Sequence, residues 1–222
     1  MKRNGEHMKL ILLFILLFVP VIEIAAQEQT EACVTHRNAP PPNTYYWRPN
    51  TNVKVFFERG TFTPEQHVAL FAAMKTWSDA AAETGAGIGF SYSGEVEWPA
   101  TCEDCLTVTR REVHKKDRKH YAFFTPLRTD SDGLLISARI DFDFATTQPQ
   151  ALQGFMAHEL GHGMGLWDCK TCKKKKTIMN VFPDINKDNG LIAPSACDLG
   201  VVRQVYERQR QVDRTIVAAK QE

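Results

Sequence analysis

The spacing of apolar residues along the chain predicts an ordered series of strands and helices. Hydrophobic and polar residues alternate from Asn52 to Glu58, which predicts a first strand. Thr63, Pro64 and Gln66 then supply an N-cap, a proline at the first helical position and a capping-box partner, so we expect a helix from here to about Gly85. The apolar residues of this helix recur at helical spacing and are Leu70, Met74, Trp77 and Ala81.

Four further strands and two further helices follow. The expected strands cover residues 87–92, 106–109, 120–124 and 134–141. A second helix is expected from about Thr147 through His162, and a third from Ser195, whose capping box is closed by Asp198. This order of elements predicts a single α+β domain with about five strands and three main helices.

The N-terminus has the composition of a secretory signal peptide. Three basic residues among the first nine precede an apolar run at 10–19, and the small pair Ala25 and Ala26 follows. The run falls short of the roughly 20 apolar residues that a membrane-spanning helix needs. We therefore expect a secreted protein, or a periplasmic one if the source is a Gram-negative bacterium. The expected divisions are a signal peptide at 1–26, a proline-rich lead-in at 27–50, the domain at 51–210 and a C-terminal tail at 211–222.

Composition and charge narrow the class of partner. The chain of 222 residues is 43% hydrophobic and 24% charged, which is typical of a globular protein and excludes disorder. With 27 Lys+Arg against 26 Asp+Glu, the net charge is +1, so no overall field attracts the molecule to nucleic acid. We expect no nucleic-acid partner, no membrane anchor once the signal peptide is removed, and a monomer.

The most informative string runs from His158 to Asp168. His158 and His162 are four residues apart on the second helix, so both imidazoles lie on one face and can reach the same cation. Gly163 and Gly165 suit a sharp exit from the helix, because glycine tolerates a left-handed backbone. Asp168, ten residues after His158, is then placed to offer a third ligand. These residues predict a zinc site.

The extended string resembles the signature of the metzincin zinc endopeptidases, and the wider pattern is most similar to the matrixin branch. Met179, within Thr177-Ile-Met-Asn180, resembles the family's Met-turn, which places a methionine beneath the zinc. Segments 63–92, 120–126, 138–143 and 195–206 are also similar to matrixin segments. The resemblance implies a single catalytic domain with a twisted mixed sheet and an active-site helix that carries the zinc motif. Asp168 departs from the matrixin pattern, which usually has histidine there.

The residues imply peptide-bond hydrolysis by a water molecule that zinc activates. Glu159 lies one residue beyond His158 and so points beside the metal, where it could act as general base. We expect a protein or peptide substrate to pair with an edge strand ending near Asp143. The stretch between Met179 and Pro194 is expected to line the pocket for the residue after the cut.

Six cysteines are expected to form disulfides in an oxidising compartment. The simplest pairing is Cys102–Cys105, Cys169–Cys172 and Cys33–Cys197, although sequence does not choose among the possible pairings. A zinc ribbon built from the two Cys-x-x-Cys pairs is the alternative, and the distance between those pairs argues against it.

Three further features leave alternatives open. Calcium could be held by acidic and amide side chains, although solvated turns are the simpler reading; the residues are Asp130, Asp132, Asp141, Asp143, Asp184, Asn186 and Asp188. A second, structural zinc has only His114, Asp117 and His120 in the relevant region. Lys170 and residues 173–176 form a basic cluster that is either a solvated loop or a contact for acidic substrates.

Two other functions compete with the peptidase. One is a catalytically silent binding domain that keeps the fold, against which Glu159 argues. The other is a disulfide-stabilised structural protein in which the zinc motif is coincidental. Zinc content and peptide cleavage separate these three functions.

Overall fold

A computed structural model describes residues 39–112, 121–173, 176–180 and 192–219. It is an α+β domain, as the sequence predicts, with a mostly parallel six-stranded sheet and three helices. The strands are β1 (Tyr46–Trp47), β2 (Asn52–Glu58), β3 (Gly89–Val96), β4 (Cys105–Arg111), β5 (Ala122–Thr129) and β6 (Leu134–Asp143). The helices are α1 (Pro64–Thr84), α2 (Pro149–Gly163) and α3 (Ala196–Ala219). The expected signal peptide lies outside the described residues.

Helix α1 shows how closely local signals determine an element. Its capping box is present, with Thr63 Oγ1 accepting from the Gln66 N–H and Gln66 Oε1 accepting from the Thr63 N–H. Gly85 ends the helix in the left-handed conformation, at φ 71°. The four expected apolar positions are all buried, and the Trp77 indole N–H donates to the Ala157 carbonyl of α2 at 2.6 Å. Helix α1 therefore packs against the helix that carries the zinc motif.

The sheet order differs from expectation at the strand that ends at Asp143. The order is β1-β6-β4-β2-β3, and β5 pairs with β6 in the antiparallel direction. Strand β6 is thus hydrogen-bonded to β4 on one side and β5 on the other, so the expectation of an edge strand there is wrong. Within the described part of the chain, β5 is the edge strand on this side. Strands β5 and β6 follow one another in the chain, but the alternation of apolar and polar residues within each strand does not reveal which strands pair.

Residues 39–47, called here the N-terminal strap, are more structured than a lead-in. The strap includes β1, which pairs with the start of β6, and Trp47 is fully buried in the core. The buried Tyr206 hydroxyl of α3 donates to the Trp47 carbonyl at 3.0 Å. This short segment is held by contacts with distant elements, which explains why its sequence resembles an irregular lead-in.

Helix α3 begins as expected and extends into the segment expected as the C-terminal tail. Ser195 and Asp198 form the predicted capping box, with Ser195 Oγ accepting from the Asp198 N–H and Asp198 Oδ2 accepting from the Ser195 N–H. The helix continues to Ala219 and so includes most of the expected tail. No helix in the described ranges is both long and apolar enough to cross a membrane.

Candidate metal centre

The two histidines of α2 are buried and held in one orientation. His158 Nδ1 lies 2.8 Å from the Ile178 carbonyl, and His162 Nδ1 lies 2.9 Å from the Leu166 carbonyl. Because a carbonyl oxygen only accepts hydrogen bonds, both Nδ1 atoms carry the proton. The two Nε2 atoms are therefore the ones able to bind a metal, and the backbone partners hold the rings in place for that role.

The turn after α2 brings Asp168 back to the histidines. Gly165 has φ 89°, and the N–H groups of Gly165 and Leu166 donate to the carbonyls of His162 and Gly161, which is the Schellman pattern of helix ends. Gly165 therefore has the conformation that the sequence predicts. Gly163 does not have a positive φ; a Cβ there would lie 2.7 Å from Trp47 Nε1, so glycine is needed for packing.

The three expected ligands lie together. Asp168 Oδ1 is 3.1 Å from His158 Nε2 and 3.5 Å from His162 Nε2. Among the described residues, these three form the one group of His, Cys, Asp and Glu side chains with metal-binding spacing, with ligand atoms within 4.8 Å of one another. Burial, together with the charge of the nearby His158, lowers the pKa of His162 to about 4. A neutral imidazole is the form that binds metal, so two imidazole nitrogens and one carboxylate oxygen fit catalytic zinc.

Glu159 lies beside this group and is 5% exposed. Its carboxylate is 3.8 Å from His162 Nε2. Burial is the main cause that raises the pKa of Glu159 to about 7; the charge of Asp168 also acts to raise it, while His158 and the backbone of Phe124 act to lower it. A carboxyl with a pKa near neutrality is suited to accept and return a proton. Phe124 of the edge strand β5 also lies at the site, with its ring centroid 6.2 Å from that of His162.

The turn that contains Met179 lies against α2. Met179 is fully buried, and a Cβ at Gly161 would lie 2.5 Å from its Sδ atom. The turn is also tied to the segment after Asp168, because the Cys169 N–H donates to the Met179 carbonyl at 2.8 Å. Met179 thus packs against the histidine-bearing helix, and its expected place beneath a zinc ion stays a prediction.

Asp198 has a second role that the sequence did not indicate. Its fully buried carboxylate accepts from the Ile178 N–H at 3.0 Å and from the Thr177 hydroxyl, in addition to the N–H and hydroxyl of Ser195. Ile178 is the residue whose carbonyl holds His158. Asp198 thus connects the start of α3 to a metal-binding ring. The capping box was visible in the sequence, but the contact with a turn 20 residues away was not.

The N-terminal strap supports the other side of the site. The Asn43 N–H donates to the Gly165 carbonyl at 2.6 Å, and the Trp167 N–H donates to the Pro41 carbonyl at 2.8 Å. Tyr45 follows and stacks on Phe124, with ring centroids 5.9 Å apart. Sequence reasoning missed these residues; the aromatic run at 45–47 was the one signal that this segment is not a simple linker.

The cysteines pair as the simplest scheme expects where the structure describes them. Disulfides join Cys102 to Cys105 and Cys169 to Cys172, and the latter closes the loop directly after Asp168. Cys197 is disulfide-bonded as well, and its expected partner Cys33 lies outside the described residues. Each Cys-x-x-Cys pair is closed on itself by a disulfide, which favours the disulfide scheme over the zinc ribbon.

Three of the four described acidic residues proposed for calcium accept hydrogen bonds from the protein. Asp141 accepts from Thr109, Arg111 and Arg139. Asp130 binds Arg48 and the backbone of its own turn, and Asp143 accepts from the Ala145 N–H. The fourth, Asp132, is exposed. The other residues of the calcium and second-zinc hypotheses lie outside the described ranges, as does nearly all of the expected pocket segment; they are Asp184, Asn186, Asp188, His114, Asp117 and His120. Lys170, Lys173 and Lys176 of the basic cluster are exposed.

Two of the solved structures that are similar to this chain are metalloproteinases, and both likenesses are weak. No protein-family model and no curated protein matches the sequence. Metalloproteinase-II from Bacteroides fragilis is similar with a TM-score of 0.44 and 10% identity, over 79% of this chain and 60% of that chain. Myroilysin is similar with a TM-score of 0.28 and 15% identity, over 62% and 48%. This chain thus spans less than two-thirds of either protein, and function must be argued from the residues of the site.

Proposed function

We propose that this protein is a secreted, zinc-dependent endopeptidase of the metzincin type, most similar to the matrixin branch. The observation that carries the proposal is the convergence of His158, His162 and Asp168, each with a donor atom facing the others, beside the buried carboxylate of Glu159. Such a set binds zinc through three protein ligands and leaves a further position for water or substrate. If the motif were coincidental, there would be no reason for a backbone carbonyl to hold the Nδ1 atom of each histidine in place.

The metal and the residues around the site have different chemical roles in the proposed reaction. Zinc, when bound, would lower the pKa of a water molecule and polarise the scissile carbonyl. Glu159 accepts a proton from the attacking water and delivers it to the leaving amine. Glu159 is buried with its carboxylate 3.8 Å from His162 Nε2, which keeps it close to the metal-binding position for both transfers. No covalent intermediate with the protein is needed.

Strand β5 is the proposed substrate-binding edge. Phe124 of β5 lies at the site, with its ring centroid 6.2 Å from that of His162. Among the described strands β5 pairs with β6 alone, so its other side is the edge with which an extended peptide would pair. A peptide bound there would pass beside the proposed metal ligands. This assignment replaces β6 as the expected substrate strand.

Secretion is proposed on the sequence of residues 1–26 and agrees with disulfides, which persist in oxidising compartments. Expression with the native N-terminus, followed by N-terminal sequencing of exported protein, tests it. A new N-terminus near Gln27 is expected. Retention of residues 1–26 on the exported protein would contradict the signal-peptide assignment.

Glu159→Gln tests the peptidase directly. We expect wild-type protein to contain stoichiometric zinc and to cleave members of a peptide library, and a chelator to abolish cleavage. The Gln variant should keep its zinc and lose most turnover, by about 10²–10⁴-fold, because it cannot accept a proton. Glu83→Gln, the same change at an exposed position of α1, is the matched control and should cleave normally.

Two results would contradict the proposal. Near-normal cleavage by the Glu159→Gln variant would exclude Glu159 as the general base. Stoichiometric zinc without any cleavage by the wild-type protein would favour the silent binding domain, and absence of bound zinc would favour the structural protein.

A further inference from the structure

We propose that Tyr45 and Trp167 form a subsite that binds an aromatic substrate side chain next to the scissile bond. This inference rests on the proposed peptidase function and names a preference for that enzyme. The subsite is separate from the pocket that the sequence places between Met179 and Pro194. It joins the N-terminal strap to the turn that carries Asp168.

Four rings form a closed cycle of contacts at the metal centre. Tyr45 stacks on Phe124 with centroids 5.9 Å apart and meets Trp167 edge-on at 6.0 Å. His162 completes the cycle, 6.2 Å from Phe124 and 6.3 Å from Trp167. These distances are those of favourable aromatic pairs. Because His162 is a proposed metal ligand, any group that rests on Tyr45 or Trp167 lies within one or two side-chain widths of the reacting bond.

The backbone of Trp167 is held in place by a hydrogen bond, and its ring is partly exposed to solvent. Its N–H donates to the Pro41 carbonyl, and its neighbour Leu166 is fully buried while the Trp167 side chain is 44% exposed. The fold thus anchors this residue without burying its largest apolar surface. A partly exposed indole in contact with a metal-binding ring is suited to bind an apolar group from outside.

Tyr45 lies inside the same cleft. Burial raises the pKa of its hydroxyl, and the charges of Glu159 and Asp168 raise it further, which places Tyr45 within the field of both carboxylates. The ring is half-buried between Phe124 and Trp167. Tyr45 is therefore a wall of the cleft that the strap supplies, and the strap has a function beyond covering the core.

The size of these rings sets the expected preference. An aromatic side chain that packs on two rings buries far more apolar surface than alanine does. Even one or two additional buried carbons change the kcat/KM ratio between two substrates by about 10-fold or more. We therefore expect kcat/KM to be about 10–100-fold higher for Phe than for Ala at one position near the scissile bond. Both rings should contribute to that ratio.

The experiment compares peptides that differ at one position at a time. Zinc-loaded protein is assayed with a cleavable peptide in which Phe, Leu or Ala occupies each position flanking the cut in turn. Trp167→Ala and Tyr45→Ala should each lower kcat/KM for the preferred Phe peptide about tenfold more than for its Ala counterpart. Tyr45→Phe, which keeps the ring, should retain the preference.

Matched controls come from the same chain. Tyr46→Ala changes the next residue of the strap, whose ring packs on Tyr206 at 5.3 Å, on α3. Trp98→Ala removes a tryptophan that is 78% exposed and that lies beyond β3. Both variants should keep the preference for Phe. Unchanged zinc content in all variants would show that the metal centre is intact.

Binding to a Glu159→Gln variant separates this inference from the peptidase proposal. Calorimetric titration should show that the Phe peptide binds more tightly than the Ala peptide, and that Trp167→Ala in this background removes the difference. This readout holds even if the wild-type protein cleaves nothing, in which case the peptidase proposal fails and the subsite stands. An equal affinity for both peptides, or a preference that survives both Trp167→Ala and Tyr45→Ala, would overturn the subsite.

Discussion

Replacing Asp198 tests how the end of α3 holds a metal-binding histidine. The carboxylate accepts from the N–H groups of Ile178 and Ser195 and from the hydroxyls of Thr177 and Ser195. Asp198→Ala leaves both backbone N–H groups buried without their partner, at about 1–3 kcal/mol each. The substitution also removes the cost of burying a carboxyl group, and this offsets part of the loss. We expect the free energy of unfolding to fall by about 2–4 kcal/mol.

Asparagine should be tolerated much better at the same position. Three of the four donors converge on Oδ2, so an amide oxygen placed there keeps them. The amide nitrogen then faces the Thr177 hydroxyl, which can rotate and accept. We therefore expect Asp198→Asn to lower the free energy of unfolding by about 1 kcal/mol or less.

The pH dependence of the two proteins should differ in a defined direction. Burial is the main cause that raises the pKa of Asp198, against hydrogen bonds that lower it. The folded protein therefore holds this proton more tightly than the unfolded chain. The stabilisation that results is complete below the unfolded pKa and is lost as pH rises through the folded pKa. Wild type should thus lose stability relative to Asp198→Asn as pH rises over this interval.

The assays are urea unfolding of the metal-free protein and zinc affinity by competition with a chelator. Asp198→Ala should weaken zinc binding about 10–100-fold, because Ile178 no longer holds the His158 ring. Asp79→Ala, at the exposed Lys75–Asp79 pair, is the control and should change stability by less than about 0.5 kcal/mol. Equal costs for Asp198→Ala and Asp198→Asn, or an alanine variant with wild-type zinc affinity, would refute the proposed connection.

Two other changes test packing and metal linkage. Gly163→Ala should lower the free energy of unfolding by about 1–3 kcal/mol, because its Cβ would meet the rigid rings of Trp47 and Phe124 at 2.7 and 3.3 Å. Gly200→Ala, in α3 with no atom within 4 Å of the new Cβ, should raise it by about 0.5–1 kcal/mol; equal effects in urea titrations would contradict the packing argument. Free zinc at about 100 times its Kd should stabilise the protein by about 2.7 kcal/mol. A thermal-shift titration should show this gain in the wild type and its loss in His162→Ala.

Local physics accounts for the parts of the site that the sequence predicted. His158 and His162 share a face because the helix repeats every 3.6 residues, and the turn after them reverses because Gly165 adopts a positive φ. Those two facts bring Asp168 back to the histidines. Helix α1 was equally predictable, since its cap and its apolar face are encoded within one segment.

Two other features were wrong because strand and helix periodicity does not reveal which elements pack or pair. Gly163 was expected to provide backbone freedom, whereas the indole of Trp47, far earlier in the chain, is what excludes a side chain there. Strand β6 was expected at the edge, whereas β5 covers it. The two strands follow one another in sequence, but alternation within each strand does not say whether consecutive strands pair with each other.

The sequence by itself determined which chemical groups this protein offers: two imidazoles on one helical face, a carboxylate beside them and a glycine that turns the chain. Only the tertiary structure decided what surrounds those groups. It joins Ile178 to His158, Phe124 to His162 and the strap to Trp167. The reason is physical: helix period and glycine conformation act within a few residues, whereas these partners meet only after the core has closed around Trp47 and Trp77.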